Sequence, residues 1–293
     1  PRFPKPVLYQ AELHSDVAAF RYRVRKQRAR PLEALLTSLT KQCRTVDKIA
    51  MFDIQKPWPL GLDRKTWPLF LVGMVAVLGV LGSIDVLASR GTIGWPDQWR
   101  APFFFITDYG LSDWILIPSL VLMILLRLAM FPLRGVWRRA SGELAAMSAF
   151  VFLGVGVPGL ITTVLKRLIG RSRPDEFDAV GAFSFQNFVN NWTFQSFPSG
   201  HSTTAVATAF VVGFIYPPLF PIFFVVGAVV ALSRVPVGAH YPTDVFAGLV
   251  VGMLGAYLVR NLFARKGWLF TQSPDGRISL KPLDGLRRLV HRA

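Results

Sequence analysis

Apolar runs close to twenty residues long limit what this chain can fold into more than any other feature. A hydrocarbon core about 30 Å thick is crossed by roughly 20 helical residues. Trp67–Ser89, Trp114–Pro132 and Leu144–Leu165 meet that length, and Arg127 lies near enough to the end of the second to snorkel to the interface. Three further runs follow: from after His201 to Tyr216, from Leu219 to Leu232, and from Val245 to Val259. A tight turn at Pro217-Pro218 separates the first two of these. In lipid, each backbone N–H and C=O must be satisfied within the protein, which favours helices here. The expectation is an all-α, polytopic membrane protein with six transmembrane helices in a bundle over 67–262. Residues 1–66 then form a basic N-terminal segment and 263–293 a basic C-terminal tail, both cytoplasmic.

Charge sets the expected orientation. The formal net charge is +16, which in a soluble protein would first suggest nucleic acid. Here the cations flank apolar runs, so no nucleic-acid partner is expected and the charge is read as membrane topology. With six spans both termini share a side. That side holds 26 of the 33 Lys and Arg, against 7 on the other. The termini are therefore expected in the cytoplasm of a bacterial inner membrane. Arg21, Arg23, Arg25, Lys26, Arg28 and Arg30 crowd the first segment, interleaved with leucines. An amphipathic helix on an anionic membrane face and a tail without fixed structure both fit it. Residues 1–20 lack the apolar core and small-residue cleavage site of a signal peptide. The chain starts at Pro1, as a fragment or processed form would, and its single cysteine, Cys43, allows no internal disulfide.

Three clusters of polar residues fall on the cation-poor side. Lys166-x6-Arg173-Pro174 ends the third helix, and both cations face one way if that helix continues for two turns. Pro198-Ser199-Gly200-His201 precedes the fourth. There Ser199 suits an N-cap, Gly200 allows close backbone approach, and free N–H groups favour an anion. Ser233-Arg234-x5-His240-x3-Asp244 joins the fifth and sixth helices, with Pro242 suited to a first turn. His240 and Asp244 are four apart, so contact at a helix start is allowed, and an aspartate on one imidazole nitrogen leaves the other free to attack. Ionisable residues at membrane depth are costly and point to function. Three cations, helix-start N–H groups and two histidines together suit an oxyanion. The aromatic-rich loop from Asp175 to Phe197 suits both an interfacial segment and a wall that meets a lipid.

These motifs resemble those of the type 2 phosphatidic acid phosphatase superfamily, which shares K-x6-R-P, P-S-G-H and S-R-x5-H-x3-D and is related to vanadium haloperoxidases. All eleven specified residues are present between Lys166 and Asp244. The resemblance implies an acid-phosphatase/haloperoxidase-like helical core and a lipid phosphatase working through a phosphohistidine. It makes His240 the nucleophile, Asp244 its orienting partner, and His201 the acid and then the base. Lys166, Arg173, Arg234, Ser199 and Gly200 would bind the phosphoryl oxygens. No metal or other cofactor is expected, because three cations beside the histidines would repel a divalent ion and already supply its charge. The implied partner is a phosphorylated membrane lipid in the bilayer, its active site facing the periplasm or exterior. Phosphatidic acid, phosphatidylglycerol phosphate, undecaprenyl diphosphate and lipid A phosphates are all substrates in the family, and the residues do not choose among them or set an oligomeric state. Transfer of the phosphoryl group to another lipid would use the same residues. Six spans argue against a soluble haloperoxidase, and intact motifs argue against a membrane scaffold with a relic site.

Overall fold

A computed structural model describes residues 53–188 and 190–290 of this chain. The basic cluster at 21–30 and Cys43 lie outside the described residues. The described part is mostly helical. Trp67–Ile93 forms α1, Asp97–Thr107 α2, Asp113–Ala129 α3 and Gly135–Ile169 α4. Gly200–Ile215 is α5, Phe220–Leu232 α6, Pro242–Lys266 α7 and Asp284–Val290 α8. A two-stranded antiparallel hairpin, β1 (Phe270–Gln272) and β2 (Ile278–Leu280), sits between the last two.

Among the described residues, four helical stretches are long and apolar enough to cross a membrane: Trp67–Ile93, Asp97–Ala129, Gly135–Ile169 and Pro242–Lys266. Gly200–Ile215 and Pro217–Leu232 are apolar but shorter. By length alone the six expected spans thus reduce to four. The shortness of α5 has a packing reason. Its residues from Ser202 to Phe214 are almost all buried, so its ends can meet protein instead of lipid, and nothing forces it to match the bilayer.

The interval 133–143 between the second and third apolar runs is largely helix, because α4 starts at Gly135 and runs for 35 residues. Its first turns carry Glu143, whose carboxylate accepts from the backbone N–H groups of Gly285 (2.9 Å) and Leu286 (3.0 Å) at the start of α8. A negative group there suits the unsatisfied donors of a helix start. Between α1 and α3 lies α2, a helix absent from the expectation. Its polar first turn and internal Pro102 mask it in the sequence.

The core is aromatic. Phe150 of α4 meets Phe263 of α7 and Phe270 of β1 at ring-centroid distances of 5.3 and 4.7 Å, and Phe214 of α5 meets Tyr257 of α7 at 4.9 Å. The tail therefore shares the core of the helices: Leu269, Phe270 and Ile278 are buried within it. Arg260 holds the chain before α1 in place, donating to the carbonyls of Ile54, Lys56 (2.6 Å) and Pro57 (3.1 Å). Close approach of α5 and α7 rests on small residues. A Cβ at Gly252 would stand 2.5 Å from the Thr203 carbonyl oxygen, and one at Gly248 would stand 2.4 Å from that of Ser199.

Candidate active site

Gly170 ends α4 in the left-handed conformation, φ +63°, where a Cβ would lie 1.7 Å from the Gln186 carbonyl oxygen. The helix thus does not continue to Arg173, as equal facing of Lys166 and Arg173 had required. Lys166 remains on the last turn of α4, and Arg173 stands in the following loop. That loop folds back on itself. Ser172 N–H donates to Ser184, Arg173 N–H to Thr193, and Ser196 N–H to Arg171, at 2.9, 2.8 and 3.0 Å. The cations converge all the same: Lys166 Nζ donates to the Gln195 carbonyl at 2.6 Å and Arg173 Nη2 to the same oxygen at 3.3 Å.

Ser199 caps α5, its Oγ accepting from Ser202 N–H at 3.4 Å. Its own N–H donates to the Asp244 carbonyl at 2.9 Å, which ties the start of α5 to the start of α7. Pro242 opens α7, and Asp244 Oδ2 accepts from Tyr241 N–H at 2.9 Å. Arg234 accepts on its carbonyl from His240 N–H (3.3 Å) and so folds the 233–241 turn that presents both side chains. His201, at the start of α5, packs against Gly110, where a Cβ would come within 2.8 Å of its ring.

Arg173 and Arg234 are buried, and Lys166 is half-buried. Among the described residues none of the three has a carboxylate ion-pair partner. Arg173 is satisfied by the carbonyls of Trp192 (3.0 Å), Ala239 (3.0 Å) and Gln195, with the Trp192 ring 3.4 Å from its guanidinium carbon. Arg234 Nη1 donates to Thr107 Oγ1 at the end of α2, and its Nε is buried with no partner among the described residues. Burial lowers both guanidinium pKa values to about 10, with Arg234 adding to the effect on Arg173 and Asp108 opposing it on Arg234. Positive charge concentrated where water is scarce, with a donor left over, is a site arranged for an anion.

His240 is buried and its pKa lies well below the ordinary histidine range, first through burial and then through Lys166, Arg173, Arg234 and His201. Its ring is therefore neutral near pH 7. Asp244 Oδ2 stands 3.6 Å from His240 Nδ1, longer than a hydrogen bond. Ser196 Oγ sits beside both, donating to Asp244 Oδ2 at 2.5 Å and lying 3.4 Å from His240 Nδ1.

Residues 147–268, which include every one of these motif positions, match the PAP2 superfamily. Over 172 residues the chain is 38% identical to the lipid A 1-phosphatase of Rhizobium johnstonii, covering 58% of this chain and 70% of the relative. The chain belongs to the PAP2 superfamily. Within it, the phosphatidylglycerophosphatase B of Bacillus subtilis is 30% identical over 167 residues, 53% of this chain and 71% of that one. The decaprenylphosphoryl-5-phosphoribose phosphatase of Mycobacterium tuberculosis is 34% identical over 115 residues, 39% of this chain and 57% of that one. A solved PAP2 type phosphatidylglycerolphosphate phosphatase from Bacillus subtilis aligns with a TM-score of 0.44 at 26% identity, over 67% of this chain and 94% of that one. These PAP2 relatives are phosphatases, and this chain is an enzyme of the phosphoric ester hydrolase class.

The eight predicted PAP2 site residues lie at the end of α4, the starts of α5 and α7, and in the loops that precede α5 and α7. Arg171, which none of the three motifs specifies, is buried and ion-paired to Asp85 and Asp244. Asp85, Ser196, Thr107 and Thr243 were missed. Only Asp85 left a signal, as an acid inside an apolar run. In the 175–197 loop, Phe183, Phe185, Phe188 and Trp192 are exposed while Phe194 is buried.

Proposed function

We propose that this enzyme hydrolyses a phosphate group from a membrane lipid, with His240 attacking phosphorus. One observation carries the reading: three cations with no carboxylate partner among the described residues act on a neutral, buried histidine. The phosphoryl group would lie against Lys166, Arg173 and Arg234, with Arg234 Nε as a waiting donor and the Ser199–Gly200 turn at the start of α5 completing the cradle. The His240 nitrogen facing away from Asp244 forms a bond to phosphorus as the bond to the lipid oxygen breaks. His201 gives its proton to that oxygen. It then takes a proton from water, which attacks phosphorus, releases inorganic phosphate and restores His240. Asp244 steadies the positive charge that His240 carries in between. Neither step requires a metal or another cofactor.

The lipid part of the proposal rests on the apolar helices and on the substrates in the relatives' names. Lipid A leads the candidates because it appears in the name of the relative with 38% identity. The six-pass arrangement also belongs to the proposal: α1, α3, α4, α5, α6 and α7 traverse the bilayer, with the site at the periplasmic or external face of the inner membrane.

The direct test is phosphate release by purified protein from lipid A, phosphatidylglycerol phosphate, phosphatidic acid and undecaprenyl diphosphate. His240→Ala and His201→Ala are expected to lose at least about a hundredfold in rate, the scale of a nucleophile or a general acid. Wild-type rates in both variants on every lipid would refute the assignment. Activity is also expected to survive EDTA; full loss, restored by a single added divalent ion, would remove His240 as nucleophile.

A further inference from the structure

The helix α1 is exposed or half-buried along nearly all its length. Of its 27 residues only Asp85 and Ser89, one turn apart, are buried. A helix in lipid normally meets its neighbours through apolar or small residues. This one brings a carboxylate with no solvent exposure, which is costly unless fully compensated. Asp85 is compensated. Its Oδ1 accepts from Thr243 N–H at 3.0 Å. Its Oδ2 accepts from Thr243 Oγ1 at 2.6 Å and from Arg171 Nη2 at 2.8 Å. The other face of the same guanidinium donates from Nη1 to Asp244 Oδ1 at 2.7 Å and to Thr243 Oγ1 at 2.6 Å. Arg171 Nε is held by the Ala182 carbonyl at 3.0 Å, and the Tyr241 ring lies 4.3 Å from the guanidinium carbon. Burial alone would lower the pKa of Arg171, but the two carboxylates outweigh it and raise it.

Charge balance gives this network a consequence. Asp244 has one oxygen toward Arg171 and the other toward Ser196 and His240. Were Arg171 paired with Asp244 alone, the pair would be neutral, and Asp244 would do little for a cation on His240. With Asp85 on the far side, the three groups sum to one negative charge, and Asp244 keeps its field. Resting on the reading of His240 and Asp244 given above, we propose that Asp85 is a positioning residue for catalysis: through Arg171 it holds the Asp244 carboxylate in place and preserves the negative charge that Asp244 presents to His240. Asp85 lies outside the 147–268 family match and belongs to none of the three motifs, so the device is built from the first membrane helix of this chain.

The test is steady-state kinetics of the full chain with Asp85→Asn, Arg171→Gln and the Asp85→Asn/Arg171→Gln pair, beside wild type and His240→Ala. The lipid is whichever one wild type hydrolyses fastest. Asp85→Asn is expected to lower kcat by about tenfold or more, with KM within about twofold of wild type, since the substrate cradle is untouched. The paired variant restores charge balance and should recover part of that kcat with KM still held, the non-additivity expected of groups in one network. Wild-type kcat in folded Asp85→Asn, or strict additivity in the pair, would overturn the proposal. If Asp85→Asn does not fold, Arg171→Lys takes its place. It keeps the charge but loses the planar fork that bridges two carboxylates, so kcat should fall with KM held. Wild-type kcat there would equally overturn it. Full activity in His240→Ala would instead refute the underlying reading of the nucleophile.

Discussion

At His240, burial and three nearby cations act on the same proton. Each disfavours the charged ring, so the folded pKa sits well below that of the unfolded chain, near 6.5. The sign follows directly. The unfolded state takes up a proton below about pH 6.5 that the folded state refuses, so this residue's contribution to stability is present above that pH and lost as pH falls through it. Histidine-selective NMR of the detergent-solubilised protein, with His240→Gln to assign the signal, is expected to show no titration of His240 between pH 7.5 and 5.5. A midpoint near 6.5 would mean that the ring is neither desolvated nor surrounded by cations as described. The residue types themselves were legible in the sequence, since His240, Asp244 and Arg234 follow one short motif. What could not be read was that Ser196, from a loop 44 residues earlier, sits beside the His240–Asp244 pair, because loop conformation is set by contacts distant in sequence.

The helices α5 and α7 hold the site, and their spacing is set by glycines. Ser199 and His201 ride on the start of α5, Asp244 on the start of α7, and a Cβ at Gly252 would press on Thr203 in between. Gly252→Ala is expected to cost about 1–3 kcal/mol of stability by overpacking, and to lower kcat severalfold by displacing α5. Gly73→Ala on α1, where nothing lies within 4 Å, should change neither. Thermal melts and rates of the two variants side by side provide the check; equal behaviour would sink the spacing argument. Helix identity was legible from apolar length, but helix ends were less so. Common facing of Lys166 and Arg173 was conditional on α4 continuing, and that condition is not met because Gly170 takes a left-handed conformation against Gln186. The 133–143 segment falls between two apolar runs, so hydropathy does not mark it as helix, yet α4 starts at Gly135 and Glu143 is occupied by the start of α8.

For the whole molecule, the proposed orientation rests on 26 of 33 basic residues sharing one side. Asn190 lies on the exposed loop beside the site. Asn190→Cys in a Cys43→Ser background is expected to react with an impermeant thiol reagent in intact cells. Labelling that appears only after permeabilisation would reverse the orientation. By itself the sequence determined the apolar helices, the family motifs and the chemical type of the site, because each is written in residues close together along the chain. Hydropathy is a sum over neighbours, and each motif spans fewer than fifteen residues. Only the tertiary structure decided which cations lack a partner, that the tail shares the core through Phe270, and that Asp85 reaches Asp244 through Arg171. Those facts depend on side chains separated by scores of residues. Distance in space, with the low dielectric of a buried site, sets how strongly such groups act on one another.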